Sequence, residues 1–139
     1  MTRQSLPVLN SADVEAVFKA ARSKAETMGI CLSMTMVDAG GHMLGFTRMD
    51  GAALGPIEVS QRKAVTAALF HQETGAFGET VRARPLTGIE NTNGSLALFK
   101  GGVPIVLDGQ VVGALGIAGG TAVQDLEVAN YALEVVFSD

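Results

Sequence analysis

The chain has no tryptophan, one tyrosine, six phenylalanines, four prolines and one cysteine among 139 residues. With so few aromatics, its core must be assembled from small aliphatic side chains in close contact. The single cysteine, Cys31, excludes an intramolecular disulfide and any site of paired thiolates. Its place in an apolar, strand-like stretch predicts a buried structural thiol. Charge is scarce as well: Asp, Glu, Lys and Arg make up 17 % and the net charge is −4. Arg82, Arg84, Lys63 and Lys100 are too scattered to track a phosphate backbone, so no nucleic-acid partner is expected. No segment approaches the roughly 20 apolar residues needed to span a bilayer, so no membrane association is expected. Residues 1–10 lack the apolar run and small-residue cleavage site of a secretion signal, which makes a cytoplasmic location the expectation.

Hydrophobic residues are abundant, at 47 %, and this excludes a disordered chain. The length suits one domain over residues 1–139. So little polar cover on a small domain predicts that part of the apolar surface is buried in a homo-oligomer.

Periodicity orders the elements. Val14, Val17, Phe18, Ala21, Ala25 and Met28 share one helical face, with Ser11 as the expected cap and Gly29 as the stop. From Ile30 the period becomes two: Leu32, Met34 and Met36 alternate with Ser33, Thr35 and Val37. Asp38 to Gly41 turns the chain back into a strand from His42 to Arg48. Pro56 opens a second helix through Ser60, Ala64, Ala67 and His71. Gly75 and Gly78 are expected to break the chain after His71 into short pieces, with turns and loop from Thr80 to Gly94. Leu96 to Phe99 is a candidate short strand. Val103 to Leu107, Asp108-Gly109 and Gln110 to Ala118 form a second hairpin. Thr121 and Gln124 then form a capping box before a helix burying Ala122, Leu126, Ala129, Leu133 and Val136. Hairpins with separated helices imply a layered α+β domain.

Several familiar constellations are missing: C-x-x-C-H, H-E-x-x-H and G-x-S-x-G do not occur. The glycines at 113, 116, 119 and 120 do not have dinucleotide-binding spacing, and strand packing and a turn explain them better. A different group invites chemistry. Arg48 and Asp50 close the second strand, and Lys63 sits on the next helix one turn before Thr66 and two before Phe70. If the loop between folds back, two cations and a carboxylate converge beside apolar residues and suit a carboxylate ligand. The same residues also suit a plain ion pair, Arg48–Asp50 or Lys63–Asp50, near the surface. His42 follows two glycines and its ring is reachable, as a metal ligand or proton carrier or as a simple cap. The methionines at 34, 36, 43 and 49 read as core filler.

Four ordered strings carry a resemblance. D-A-G-G-H-M-L-G-F-T-R-M-D-G-A at residues 38–52, S-Q-R-K-A-V-T-A-A-L-F at 60–70, G-G-V-P-I at 101–105 and G-Q-V-V-G-A-L-G-I-A-G-G at 109–120 resemble the motifs of the GlcG/HbpS family. That family includes a C-terminal domain of PduO-type adenosyltransferases. Asp125 fits the acid that comes after the last string. The resemblance implies a profilin-like α+β domain with a central five-stranded antiparallel sheet flanked by helices, assembled as a homo-oligomer. Some members bind haem, some are linked to haem degradation, and others accompany catabolic operons.

Three functional readings are open. In the first, the chain is a haem-binding accessory protein of a catabolic pathway, with Arg48 and Lys63 on the propionates, Thr66 and Phe70 beside the ligand, and His42 on the iron. In the second, it is a small enzyme acting on an organic acid, with Arg48 or Lys63 holding the carboxylate and His42 or Asp50 as acid–base group. In the third, it is a purely structural or accessory subunit.

Overall fold

The computed structural model describes residues 1–138. The first helix, α1, spans Ser11–Met28. Its cap is Asn10 rather than the expected Ser11. The Asn10 side chain accepts the Asp13 N–H at 2.9 Å, and the Asp13 carboxylate accepts the Asn10 N–H at 2.8 Å. That reciprocal pair leaves Ser11 inside the helix. Val14, Val17, Ala21 and Ala25 form the buried stripe, and Gly29 ends the helix at φ 70°.

Four strands build one antiparallel sheet: β1 (Ser33–Asp38), β2 (Met43–Arg48), β3 (Gly102–Leu107) and β4 (Gln110–Ala118). Their order is β2-β1-β4-β3. Both expected hairpins form. In the second, Asp108 and Gly109 have φ of 52° and 74°, the paired positive angles that match the twist of the flanking strands. Central β1 is covered on both faces. Met34 and Met36 join the larger core under α1 and α4 (Ala122–Phe137), whereas Val37 joins a smaller alanine-rich core under α2 (Pro56–Phe70).

The expected fifth strand is not among the described residues. Leu96 to Phe99 has no strand partner because side chains take up its backbone groups. Thr66 Oγ1 accepts the Ala97 N–H at 3.0 Å, and Thr74 Oγ1 donates to the Phe99 carbonyl. Gly75 and Gly78 do not interrupt the chain either; both lie inside a third helix, α3 (Thr74–Ala83). A Cβ at Gly78 would overlap the Leu98 carbonyl, so this glycine lets the helix lie on the 95–101 segment.

Helix α2 approaches the sheet through glycines in the same way. A Cβ at Gly116 would lie 2.6 Å from the Ala64 nitrogen and collide with the Ser60 carbonyl. One at Gly102 would collide with the Lys63 carbonyl. The helix therefore rests on β3 and β4 at backbone distance, which brings the Lys63 side chain beneath it to the end of β4. In α4 the fully buried positions are Asp125, Val128, Ala129 and Ala132. Leu126, Leu133 and Val136 are only half-buried at the edge of the core.

The sheet ends in β2 on one side and β3 on the other. Ile117 donates to the Gly101 carbonyl at 2.9 Å, so hydrogen-bonded pairs between β3 and β4 fall on alternate residues from that point. Pro104, paired with Ala114, occupies a non-bonded position, and its ring nitrogen faces outward from the sheet edge.

Candidate functional site

Lys63 is 1 % exposed, the largest fully buried side chain of the described residues. Its Nζ donates to Ile117 O at 2.8 Å and to Asp125 Oδ2 at 2.9 Å. Asp125 Oδ1 accepts the Gly120 N–H at 2.8 Å. The pair thus joins α2, the end of β4 and the first turn of α4. Burial pushes the Lys63 ammonium below its ordinary 10.5, and the Asp125 carboxylate pulls it part of the way back. An ammonium has three protons. Among the described residues the third has no oxygen acceptor; the ring of Phe99 lies beside it, with its centre 5.1 Å from Nζ.

A pocket of about 420 Å³ opens over this pair. Its walls are mostly apolar, with Pro56, Val59, Phe99, Ala118 and Ala122 around Lys63 and Asp125. Its volume lies within the range of small-ligand sites. Phe99 also borders a second cavity of about 230 Å³, lined by Glu58, Arg62 and Leu96 among others, and both cavities share Gly55 and Val59.

The other sequence candidates are not gathered here. Thr66 is fully buried; it donates to Arg62 O at 2.7 Å and receives the Ala97 N–H, so both its functions are structural. Phe70 stacks on Phe77 at 4.7 Å between ring centres, in the small cluster under α3. Arg48 and Asp50 line a separate cleft of about 390 Å³ with Arg22, Glu26, Cys31 and Met49. The loop from Met49 to Gly55 therefore does not bring Arg48 or Asp50 onto Lys63, whose acid partner is Asp125. Cys31 is exposed rather than buried, because it precedes β1 instead of lying within it.

His42 immediately precedes β2, at the opposite end from Arg48, roughly 20 Å away along the strand at 3.4 Å per residue. Its side chain is 81 % exposed, and Nδ1 sits 3.1 and 3.2 Å from the two Asp38 carboxylate oxygens. Asp38 also accepts the N–H groups of Gly40 and His42, each at 2.9 Å. Burial would raise the Asp38 carboxyl, but these N–H donors and the imidazole together hold it below its ordinary value. Among the described residues, no three His, Cys, Asp or Glu side chains cluster as a metal cage.

Comparison with known proteins gives these features a context. Residues 9–134 match the family model described as haem degrading protein HbpS-like. The chain belongs to the HbpS-like family. Protein GlcG of Escherichia coli K12 is 36 % identical over 111 residues, covering 80 % of this chain and 81 % of GlcG. The corrinoid adenosyltransferase PduO of Salmonella typhimurium is 30 % identical over 138 residues, which are 97 % of this chain but 41 % of PduO. Among solved structures, Klebsiella pneumoniae ORFY superposes with a TM-score of 0.92 at 30 % identity, covering 100 % of this chain and 98 % of that one. A PduOC:heme complex superposes at 0.88 with 29 % identity, covering 94 % and 96 %.

Within this HbpS-like chain, the Lys63–Asp125 pair is the feature that sequence reasoning missed. The signal was present. Lys63 shares a helical stripe with Ser60, Ala64 and Ala67, and Asp125 shares one with Val128, Ala129 and Ala132. A charge on each of two apolar stripes is buried when both helices pack, and each buried charge needs a partner of opposite sign.

Proposed function

We propose that this chain binds haem at the exposed surface around His42, with the imidazole as iron ligand. The observation that carries the reading is the Asp38–His42 pair. A carboxylate holding Nδ1 fixes the ring's orientation and leaves Nε2 turned outward as the ligating nitrogen, an arrangement common to metal-binding histidines. Apolar surface lies nearby for a flat ligand. Met43 and Leu44 are exposed on β2, and Leu69 of α2, also partly exposed, packs beside Gly41. The haem complex of the PduO relative and the family's description support the same ligand class. Bound haem would bring an iron centre whose reactivity its axial ligand tunes.

Arg48 and Lys63 are not the propionate cations of this reading, since neither lies beside His42. A second copy of the chain packed over the exposed edge of β2 would shield such a ligand, which fits the expectation of a homo-oligomer. An accessory role in a catabolic pathway is part of the same proposal, as the resemblance of the sequence motifs implies.

Haemin titration of the purified chain tests it, with an unrelated protein of similar charge as control. Saturable binding at one haem per chain, or per pair of chains, is expected, with a Soret band that moves in His42→Ala. Weak, unsaturable binding overturns the haem reading. A saturable but unchanged spectrum in His42→Ala overturns the assignment of the ligand.

A further inference from the structure

We propose that the pocket over Lys63 and Asp125 is a second, separate site that binds a small organic monocarboxylate. A buried ion pair is an inefficient way to join a helix to a strand, since apolar residues of similar volume do as well or better. This pair, although almost wholly buried, borders a pocket. Among the described residues, Lys63 keeps one N–H with no partner but an aromatic face, a weak substitute for an oxygen acceptor.

A ligand carboxylate at that point gains the third Nζ–H without disturbing Asp125, which stays on Lys63 and Gly120. It also lies at the start of α4. There the capping box uses the N–H groups of Thr121 and Gln124, while those of Ala122 and Val123 have no acceptor within the helix. Ala122 lines the pocket.

The charge balance narrows the ligand class. Lys63 and Asp125 cancel within the pocket lining, so a single negative charge is tolerated at the helix start, whereas a polyanion would face a carboxylate with no net cation to offset it. Glu58 and Arg62 line the adjoining cavity and not this one. The walls formed by Pro56, Val59, Phe99 and Ala118 suit a short aliphatic or aromatic body.

Benzoate is the probe, followed by amide chemical shifts of the labelled full chain. Saturable shifts confined to Val59, Phe99, Gly119, Gly120 and Ala122 are expected. Benzamide, equal in shape but uncharged, should bind at least about tenfold more weakly, equivalent to about 1.4 kcal/mol. The blocking variant is Val59→Trp. Val59 lines the pocket from α2 and is only half-buried, so the larger ring can occupy the pocket without entering the closed core. It should abolish the benzoate shifts and leave haemin binding as in the wild type. Should Val59→Trp lose the native spectrum, Ala122→Leu, at another half-buried position of the lining, takes its place. The proposal fails if benzoate produces no saturable shifts, if benzamide binds equally well, or if the folded blocking variant binds benzoate unchanged. None of these outcomes bears on haem at His42, which the Soret titration decides separately.

Discussion

Replacing Lys63 by methionine keeps most of the side chain's volume but removes the ammonium from between Ile117 O and Asp125. The carboxylate is then left buried with the Gly120 N–H as its remaining partner. Breaking one side of a buried pair costs about 3–5 kcal/mol, because the surviving charge is uncompensated. Against a total stability of about 5–15 kcal/mol for a domain, that is a large fraction. At about 3–5 °C per kcal/mol for a chain of this size, the melting temperature should fall by about 10–20 °C. Asp125→Asn should cost less, because Lys63 can escape by losing its proton. Burial already pushes its pKa down and Asp125 is the group that resists, so in the variant the pKa falls further below 10.5. Between that value and 10.5 the unfolded chain holds a proton that the folded chain lacks, and the variant's stability must rise with pH across this window. The assay is urea unfolding of both single variants and the double variant, at neutral and at alkaline pH. The double variant should be more stable than the sum of the single losses predicts, by at least about 1 kcal/mol. If the single losses are below about 1 kcal/mol, or add within about 0.5 kcal/mol, Lys63 and Asp125 are not a coupled buried pair.

Two further predictions concern the frame around the sites. Gly116→Ala places a methyl against backbone of α2 that cannot rotate away, so it should cost at least the roughly 1–3 kcal/mol of overpacking, read as a lower urea midpoint with unchanged slope. The Asp38 carboxyl is held below its ordinary 3.8, so its stabilisation of the first hairpin is complete above that pH and is lost as pH falls through the depressed value. In acid titrations, Asp38→Asn should therefore be less stable than wild type near neutrality, and the two curves should converge at the acid end; a constant offset down to the lowest pH would refute this.

Much of the fold was legible because local rules and tertiary packing agree. The stripe of α1, the stop at Gly29, the Asp108-Gly109 turn and the Thr121–Gln124 capping box all form where the residue pattern places them. Two of the misreadings share a cause: contacts between segments distant in sequence. Gly75 and Gly78 look like helix breakers until the 95–101 segment lies against them. Leu96 to Phe99 looks like a strand until Thr66 and Thr74 capture its backbone. The chemistry was legible in type but not in place. His42 stands out in the sequence, but Asp38 reads there only as part of a turn. Lys63 stands out too, but proximity along the chain matches it with the wrong acid. Residues 50 and 125 both lie within reach of a helix whose direction is not set until the glycines at 102 and 116 seat it on the sheet.

The placement of Pro104 limits how copies of this chain can grow together. Any chain that added a strand beyond β3 would meet a backbone position with no donor to offer, while β2 keeps its full outward row of amides and carbonyls. Growth by sheet extension is thus one-sided. Two copies joined β2 to β2 would form one continuous sheet of eight strands, with a proline-bearing strand at each end. Such an assembly would close after a single union, with no free β2 edge left to extend it.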